Sequence, residues 1–257
     1  MHVFLQYIKS HFQRSHNGLM QVILLHALCF SVLRLLKIGL TMAGHAVAYT
    51  TFFHYLALPA AWPTYLRHPW TLLTHLWWPM SFFSTLLNLG LLHTFGQVVM
   101  RCLGSRHFIA LYLLGGLAGG SLFLLLCHVA PYFRGTATYL IGFSGSLYAV
   151  MVAAATLAPQ RSLSLIFLGP FALKHLVGFL VLFALINLVG TESAANIARL
   201  GGALLGYIYA KGYYGGTWRR SDWVRCEKPS NNLKVTYRRH ASLVKHGHDT
   251  PLHTKLV

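Results

Sequence analysis

The sequence predicts an all-α polytopic membrane protein that crosses the bilayer with six helices. Of its 257 residues, 55% are apolar and 10% are charged, and the mean hydropathy is +0.53. About a quarter of the residues of a soluble domain are charged. So few charges could not solvate the surface of a soluble protein of this length, and the bilayer is therefore the natural solvent. Backbone polar groups inside lipid must be paired within their own segment, which makes each span a helix.

Six apolar segments qualify as predicted spans. Each approaches the ~20 residues that a helix needs to cross the hydrocarbon core. A long, aromatic-rich connection at residues 41–69 separates the first segment from the second. The predicted spans are residues 19–40, 70–99, 108–129, 141–157, 170–189 and 194–213.

Positive charge is concentrated after the last predicted span. The net charge is +17, and ten of the 21 Lys and Arg residues lie in the last 47 residues. A basic segment directly after a hydrophobic helix is typical of a cytoplasmic tail near anionic lipid, and this position argues against nucleic-acid binding. The pattern predicts a basic N-terminal arm (1–18), a membrane domain (19–215) and a basic cytoplasmic tail (216–257), with both termini cytoplasmic.

A serine between glycines begins the fourth predicted span, in the stretch Gly142-Phe143-Ser144-Gly145. One interpretation is close helix packing. The other is a nucleophile, because small neighbours let a substrate backbone approach and the N–H groups at a helix N-terminus can stabilise an oxyanion. The stretch alone leaves both interpretations open.

Several further motifs on successive predicted helices share their order and spacing with one protein family. They are residues 67–74, Asn88, 103–105, 111–120, 142–145 and 198–206. Over about residues 56–215 the chain resembles the rhomboid family of intramembrane serine proteases, and residues 56–60 and 152–159 look most similar to Bacteroidetes-type members. The resemblance implies a six-helix rhomboid-like bundle in a bacterial inner membrane.

The resemblance also implies roles for individual residues. Ser144 stands at the nucleophile position, and Asn88 stands at an oxyanion-binding position on the second helix. Two functional histidines of the family are missing, because Arg199 replaces the general base and Ser84 replaces the second-helix histidine. The glycines that support the family's site are matched by Gly142, Gly145, Gly202 and Gly206.

The replacement at position 199 changes the chemistry expected of Ser144. A serine hydroxyl needs a base within hydrogen-bond reach to act as a nucleophile. Arginine has a pKa above ~12 and offers donors but no acceptor, so it cannot receive the serine proton. Loss of the base from a serine protease costs on the order of 10⁴–10⁶ in kcat.

Arg199 also needs a partner, because a charge at the centre of a membrane helix costs about 2.5–3.5 kcal/mol. Glu192 is the nearest acid, but it precedes Arg199 by seven residues, or about 10 Å of helix. We expect this separation to be too large for direct pairing unless the loop before the helix folds back. We expect Arg199 to point into a hydrated cavity and to bond to water, backbone carbonyls or Ser144. The alternative is that Arg199 snorkels towards the interface.

Three functions are compatible with these features. The first is a catalytically impaired pseudoprotease that binds transmembrane segments of client membrane proteins. The second is an active intramembrane serine endopeptidase that uses Ser144 with an unassigned base. The third is a small membrane transporter of unrelated fold. We expect no cofactor and no metal, because the sixteen histidines are scattered without the spacing of a zinc protease. The predicted partners are client transmembrane segments and anionic lipids.

Overall fold

The computed structural model describes residues 18–78, 81–130, 132–133, 139–165, 169–190 and 192–217. The predicted N-terminal arm lies outside the described residues except for residue 18. The predicted tail lies outside them except for residues 216 and 217.

Long helices dominate the described part of the chain. In chain order they are α1 (Gly18–Met42), α2 (Ala46–Leu56), α5 (Phe82–Leu103), α6 (Ser105–Val129), α7 (Ser144–Leu157), α8 (Leu173–Ile186) and α9 (Ser193–Thr217). Two short helices, α3 (Trp62–Arg67) and α4 (Thr71–Thr74), and a 3₁₀ turn (His75–Trp77) stand between α2 and α5. Five of the six predicted spans start within a few residues of the start of a long helix.

The second predicted span begins too early and is corrected by the structure. It was predicted to start at residue 70, whereas α5 starts at Phe82. Pro79 lies in between and has no N–H to continue a helix. Ser81 then caps α5, because its side-chain oxygen accepts a hydrogen bond from the Ser84 N–H.

Three helices among the described residues are long and apolar enough to cross a membrane: α1, α5 and α6. The helices α7 and α8 have 14 residues each, or about 21 Å, against a hydrocarbon core of about 30 Å. The helix α9 has 25 residues but carries polar and basic side chains. The count of six spans therefore stays a prediction.

Two small antiparallel strand pairs complete the described elements. The strand β1 (Leu58–Pro59) pairs with β2 (Tyr139–Leu140). The strand β3 (Ser162–Leu165) pairs with β4 (Gly169–Ala172). The first pair ties the connection between α2 and α3 to the chain that leads into α7. The second pair fills the connection between α7 and α8, where the fifth predicted span was placed a few residues too early.

Glycines let α9 pack against α6 and α7 with their backbones in contact. A Cβ built on Gly119 of α6 would lie 2.7 Å from the carbonyl oxygen of Ala198, and one built on Gly145 of α7 would lie 2.9 Å from the same atom. A Cβ on Gly202 would overlap the Gly145 carbonyl. Such close approach is how helices associate in lipid, where no hydrophobic drive acts between them.

Two contacts show which helix ends lie together. The Gly18 N–H donates to Ser105 Oγ at 3.0 Å, which joins the start of α1 to the start of α6. His107 Nδ1 and the Tyr209 hydroxyl are 2.9 Å apart, which brings the C-terminal half of α9 to the same end. The start of α9 lies towards the opposite end of the bundle, and the first turn of α7 lies beside Gly115 and Gly116, near the middle of α6.

Candidate active site

A glycine turn sets the position at which α7 begins. Gly142 has a φ of +89°, which glycine adopts without strain. Its N–H donates to the His75 carbonyl oxygen at 2.9 Å. Ser144 is the first residue of α7, where a helix has unpaired backbone N–H groups and partial positive charge.

The Ser144 side chain is buried and makes no hydrogen bond. The residue is 1% exposed, and its Oγ has no hydrogen-bond partner among the described residues. A base would have to lie within hydrogen-bond reach to activate this hydroxyl. In the described part of the chain, no imidazole bonds to it.

The predicted base position lies beside the first turn of α7. The backbone of Ala198 sits between Gly119 and Gly145, and neither glycine has room for a side chain there. Arg199 follows Ala198 directly. The close packing of α7 and α9 therefore brings position 199 into the neighbourhood of Ser144.

The Arg199 guanidinium is bound by side chains of its own segment. Its Nη1 donates to Asn196 Oδ1 at 2.6 Å, and its Nη2 lies 3.7 Å from Glu192 Oε2. The Arg199 Cζ also lies over the Tyr148 ring, 5.8 Å from the ring centroid. The guanidinium thus has an anion, a neutral acceptor and an aromatic face as partners.

The expectation that Glu192 is too far from Arg199 was wrong. Residues seven apart on a helix lie almost on the same face, and helix side chains lean towards the N-terminus. The long Arg199 side chain therefore reaches back along α9 towards Glu192, which lies just before the helix begins.

The expected bond between Arg199 and Ser144 is also absent, since the described residues give Ser144 Oγ no partner. The Arg199 side chain is 19% exposed and its partner Glu192 is 65% exposed. The charged group is thus directed towards the exposed start of α9. This direction agrees with the alternative expectation, snorkelling towards the interface.

The two predicted oxyanion positions lie in the first turns of α5. Ser84 and Asn88 are half-buried and one helical turn apart. The Ser84 hydroxyl is engaged locally, because Ser81 Oγ donates to it at 2.7 Å. Thr85 lies between Ser84 and Asn88 in the sequence and was not predicted as a site residue. It is buried, and its hydroxyl has no partner among the described residues.

Two buried histidines support the turn before Ser144, and the sequence analysis did not identify either. His75 Nδ1 lies 3.1 Å from the Thr71 carbonyl oxygen. Burial lowers the pKa of His75 to about 4, so it is neutral at pH 7. The ring of His26, on α1, meets the ring of Phe143 edge-on with centroids 4.3 Å apart. The available signal was a histidine inside an otherwise apolar span.

The described residues hold no group of three His, Cys, Asp or Glu side chains placed to bind a metal ion. The groups that this site can offer include the Ser144 hydroxyl and the backbone N–H groups at the start of α7. A proton acceptor for Ser144 is the component that the described geometry does not supply.

Comparison with known proteins identifies the protein family whose fold contains this site. A sequence model of the rhomboid domain matches residues 66–215, which is more than half of the chain. The chain belongs to the rhomboid family. The rhomboid domain is a polytopic helical membrane fold, so the predicted fold class is confirmed.

The curated relatives that the chain matches are animal mitochondrial rhomboid-like proteins. Presenilin-associated rhomboid-like protein A of Danio rerio is 29% identical over 145 residues, which cover 55% of this chain and 37% of the relative. The Mus musculus protein is 29% identical over 132 residues, covering 50% of this chain and 34% of the relative. The Homo sapiens protein is 27% identical over the same length and the same shares. The matched part of the chain thus spans about a third of these relatives, and the resemblance to Bacteroidetes-type members stays a prediction.

Proposed function

We propose that this rhomboid-family membrane protein binds transmembrane segments of client membrane proteins and is catalytically impaired. The observation that carries the proposal is the environment of Ser144. Its hydroxyl is buried with no partner among the described residues, and a guanidinium bound to Asn196 and Glu192 occupies the position of the family's base. A guanidinium cannot accept the proton that a serine nucleophile must lose.

Binding of a client helix does not need the base. It needs a polar site at a depth that a transmembrane segment can reach. Ser144 starts a helix of only 14 residues, and buried hydroxyl groups with no partner among the described residues lie in the first turns of α5, α7 and α9, namely those of Thr85, Ser144 and Ser193. Such groups can offer hydrogen bonds to a client helix that unwinds locally in the membrane.

The cellular setting is part of the proposal. We place the protein in a bacterial inner membrane with both termini cytoplasmic. The basic segment 216–257 would lie near anionic lipid because positive loops are retained on the cytoplasmic side. The matched curated relatives are named as mitochondrial proteins, so fractionation of the source cells would test the placement directly.

Labelling of Ser144 by a fluorophosphonate probe tests the catalytic part, because the probe reacts with an activated serine hydroxyl. We expect the purified full-length protein to show no more labelling than its Ser144→Ala variant. Labelling that Ser144→Ala abolishes would instead support the active endopeptidase. Binding is tested separately with a fluorescent transmembrane peptide in detergent, and we expect Ser144→Ala to leave its affinity unchanged.

A further inference from the structure

We propose that a cavity between α1 and α5 binds the headgroup of an anionic phospholipid, with Arg101 holding the phosphate. The cavity has a volume of about 230 Å³. It lies near the turn between α5 and α6, whereas the first turn of α7 packs beside Gly115 and Gly116, near the middle of α6. The cavity is lined by Leu19, Met20, His93, Gln97, Met100 and Arg101.

The polar lining forms a ladder on one face of α5. His93, Gln97 and Arg101 are successive residues four apart, so they share a face. The Gln97 amide donates to His93 Nε2 at 2.8 Å. Arg101 lies in the last turn of α5, and at 1.5 Å per residue Gln97 lies about 6 Å and His93 about 12 Å deeper.

This ladder matches the polarity of a phospholipid along its length. Arg101 is exposed at the end of its helix, at the level of the headgroups. Gln97 and His93 can bond to the glycerol and ester oxygens below the phosphate. The remaining wall is apolar and comes from Leu19, Met20 and Met100, which suits the start of an acyl chain.

Close contacts between helix ends border the cavity. The Gly18 N–H donates to Ser105 Oγ at 3.0 Å, which fixes the start of α1 beside the turn between α5 and α6. A Cβ on Gly96 would lie 2.6 Å from Leu19 Cδ1, so α1 packs closely on α5 beside the cavity. The cavity therefore lies where two helices pack closely against each other.

The charge at this end of the bundle favours an anion. Burial lowers the pKa of Arg161, and the positive charge of Arg101 lowers it further. The two guanidinium groups are therefore close enough to repel each other. Among the described residues Glu192 is the only carboxylate side chain, and it pairs with Arg199 at the other end. Basic pockets between membrane helices bind anionic lipid headgroups. A choline headgroup carries its own cation, which Arg101 would repel.

Photo-crosslinking with phosphatidylglycerol that carries a diazirine near the glycerol tests the proposal on the purified full-length protein. We expect crosslinks in the peptides that contain Leu19, Met20 and Met100. Arg101→Gln should weaken them about fivefold, which is the factor given by ~1 kcal/mol per basic residue near anionic lipid. The matched control is Arg106→Gln, an exposed arginine at the same end that does not line the cavity, and its crosslinks should stay within about twofold of wild type.

Equal crosslinking of wild type and Arg101→Gln would overturn the proposal, as would equal loss in Arg101→Gln and Arg106→Gln. A second variant, Met20→Trp, fills the cavity from α1 without a change of charge and should also abolish the crosslinks. Unlabelled phosphatidylglycerol should compete, whereas phosphatidylcholine or inorganic phosphate at the same concentration should not. Equal competition by either of these two, or undiminished crosslinking of Met20→Trp, would contradict the proposed site.

Discussion

Arg199 carries a charge that neighbouring side chains on its N-terminal side balance. The guanidinium donates to Asn196 and pairs with Glu192, and both partners lie on the N-terminal side of Arg199. The Ser144 hydroxyl receives none of these contacts. An arginine at this position has no lone pair to offer the serine proton, so the two side chains lie in the same region without forming a nucleophile and base.

Histidines at both altered positions should restore chemistry if the rest of the site is intact. We expect the double variant Arg199→His, Ser84→His to cleave a transmembrane substrate measurably, because an imidazole at position 199 can accept the Ser144 proton. Loss of such a base costs on the order of 10⁴–10⁶ in kcat, so a partial recovery is detectable. The control is the same double variant with Ser144→Ala. A folded but inert double variant would show that the site differs at more than these two positions.

The imidazole of His75 predicts a pH dependence of stability. Burial lowers its pKa from 6.5 to about 4, so between these values the unfolded chain binds a proton that the folded chain does not. Stability should be complete above pH ~6.5 and fall as the pH drops towards 4, by on the order of 3 kcal/mol. The unfolding temperature in detergent at pH 7.5 and pH 5 measures this effect.

The matched controls for this prediction are two glutamine variants. His75→Gln should flatten the pH dependence of the unfolding temperature. His54→Gln should not, because His54 is exposed. Identical pH dependence in wild type and His75→Gln would show that another group is responsible.

At the scale of elements, the site depends on how closely α9 approaches α7. Their backbones touch because glycines occupy the contact positions, including Gly145, Gly202 and Gly206. These close contacts also explain why a helix as short as α7 is almost wholly buried: neighbouring helices cover it without side chains in between. The same packing places position 199 near Ser144.

Two glycine-to-alanine substitutions on α9 should distinguish the effect of helix packing on stability from the effect of helix propensity. Gly202→Ala places a methyl group on the Gly145 carbonyl, and such overpacking typically costs ~1–3 kcal/mol. Gly212→Ala adds a methyl group with no heavy atom within 4 Å, and should stabilise the helix by about 0.5–1 kcal/mol. Thermal unfolding in detergent compares them, and equal effects of the two variants would contradict the packing role.

At the scale of the whole molecule, the sequence predicted the membrane class and the approximate positions of the main helices except α5, which starts twelve residues later than expected. These features follow from local composition and from spacing along one helix. The start of α7 at Ser144 was predicted within three residues. A glycine-flanked serine after a break in the apolar sequence is typical of a helix start. The family match at residues 66–215 lies within the stretch on which the resemblance was argued.

The features that the sequence did not reveal depend on contacts between distant segments or on side-chain reach. The ring contact between His26 and Phe143 joins residues more than a hundred positions apart. The ion pair between Arg199 and Glu192 forms because the long Arg199 side chain reaches back to a residue just before α9, whereas the distance along the helix axis alone suggested separation. The late start of α5 at Phe82 depends on a local cap that competes with a continuous apolar pattern.

The most direct measurement is cleavage of a transmembrane substrate peptide by the full-length protein in liposomes, with wild type beside Ser144→Ala. If no group accepts the serine proton, the two proteins should give the same background rate. Cleavage by wild type that Ser144→Ala abolishes would mean that a base reaches the hydroxyl after all.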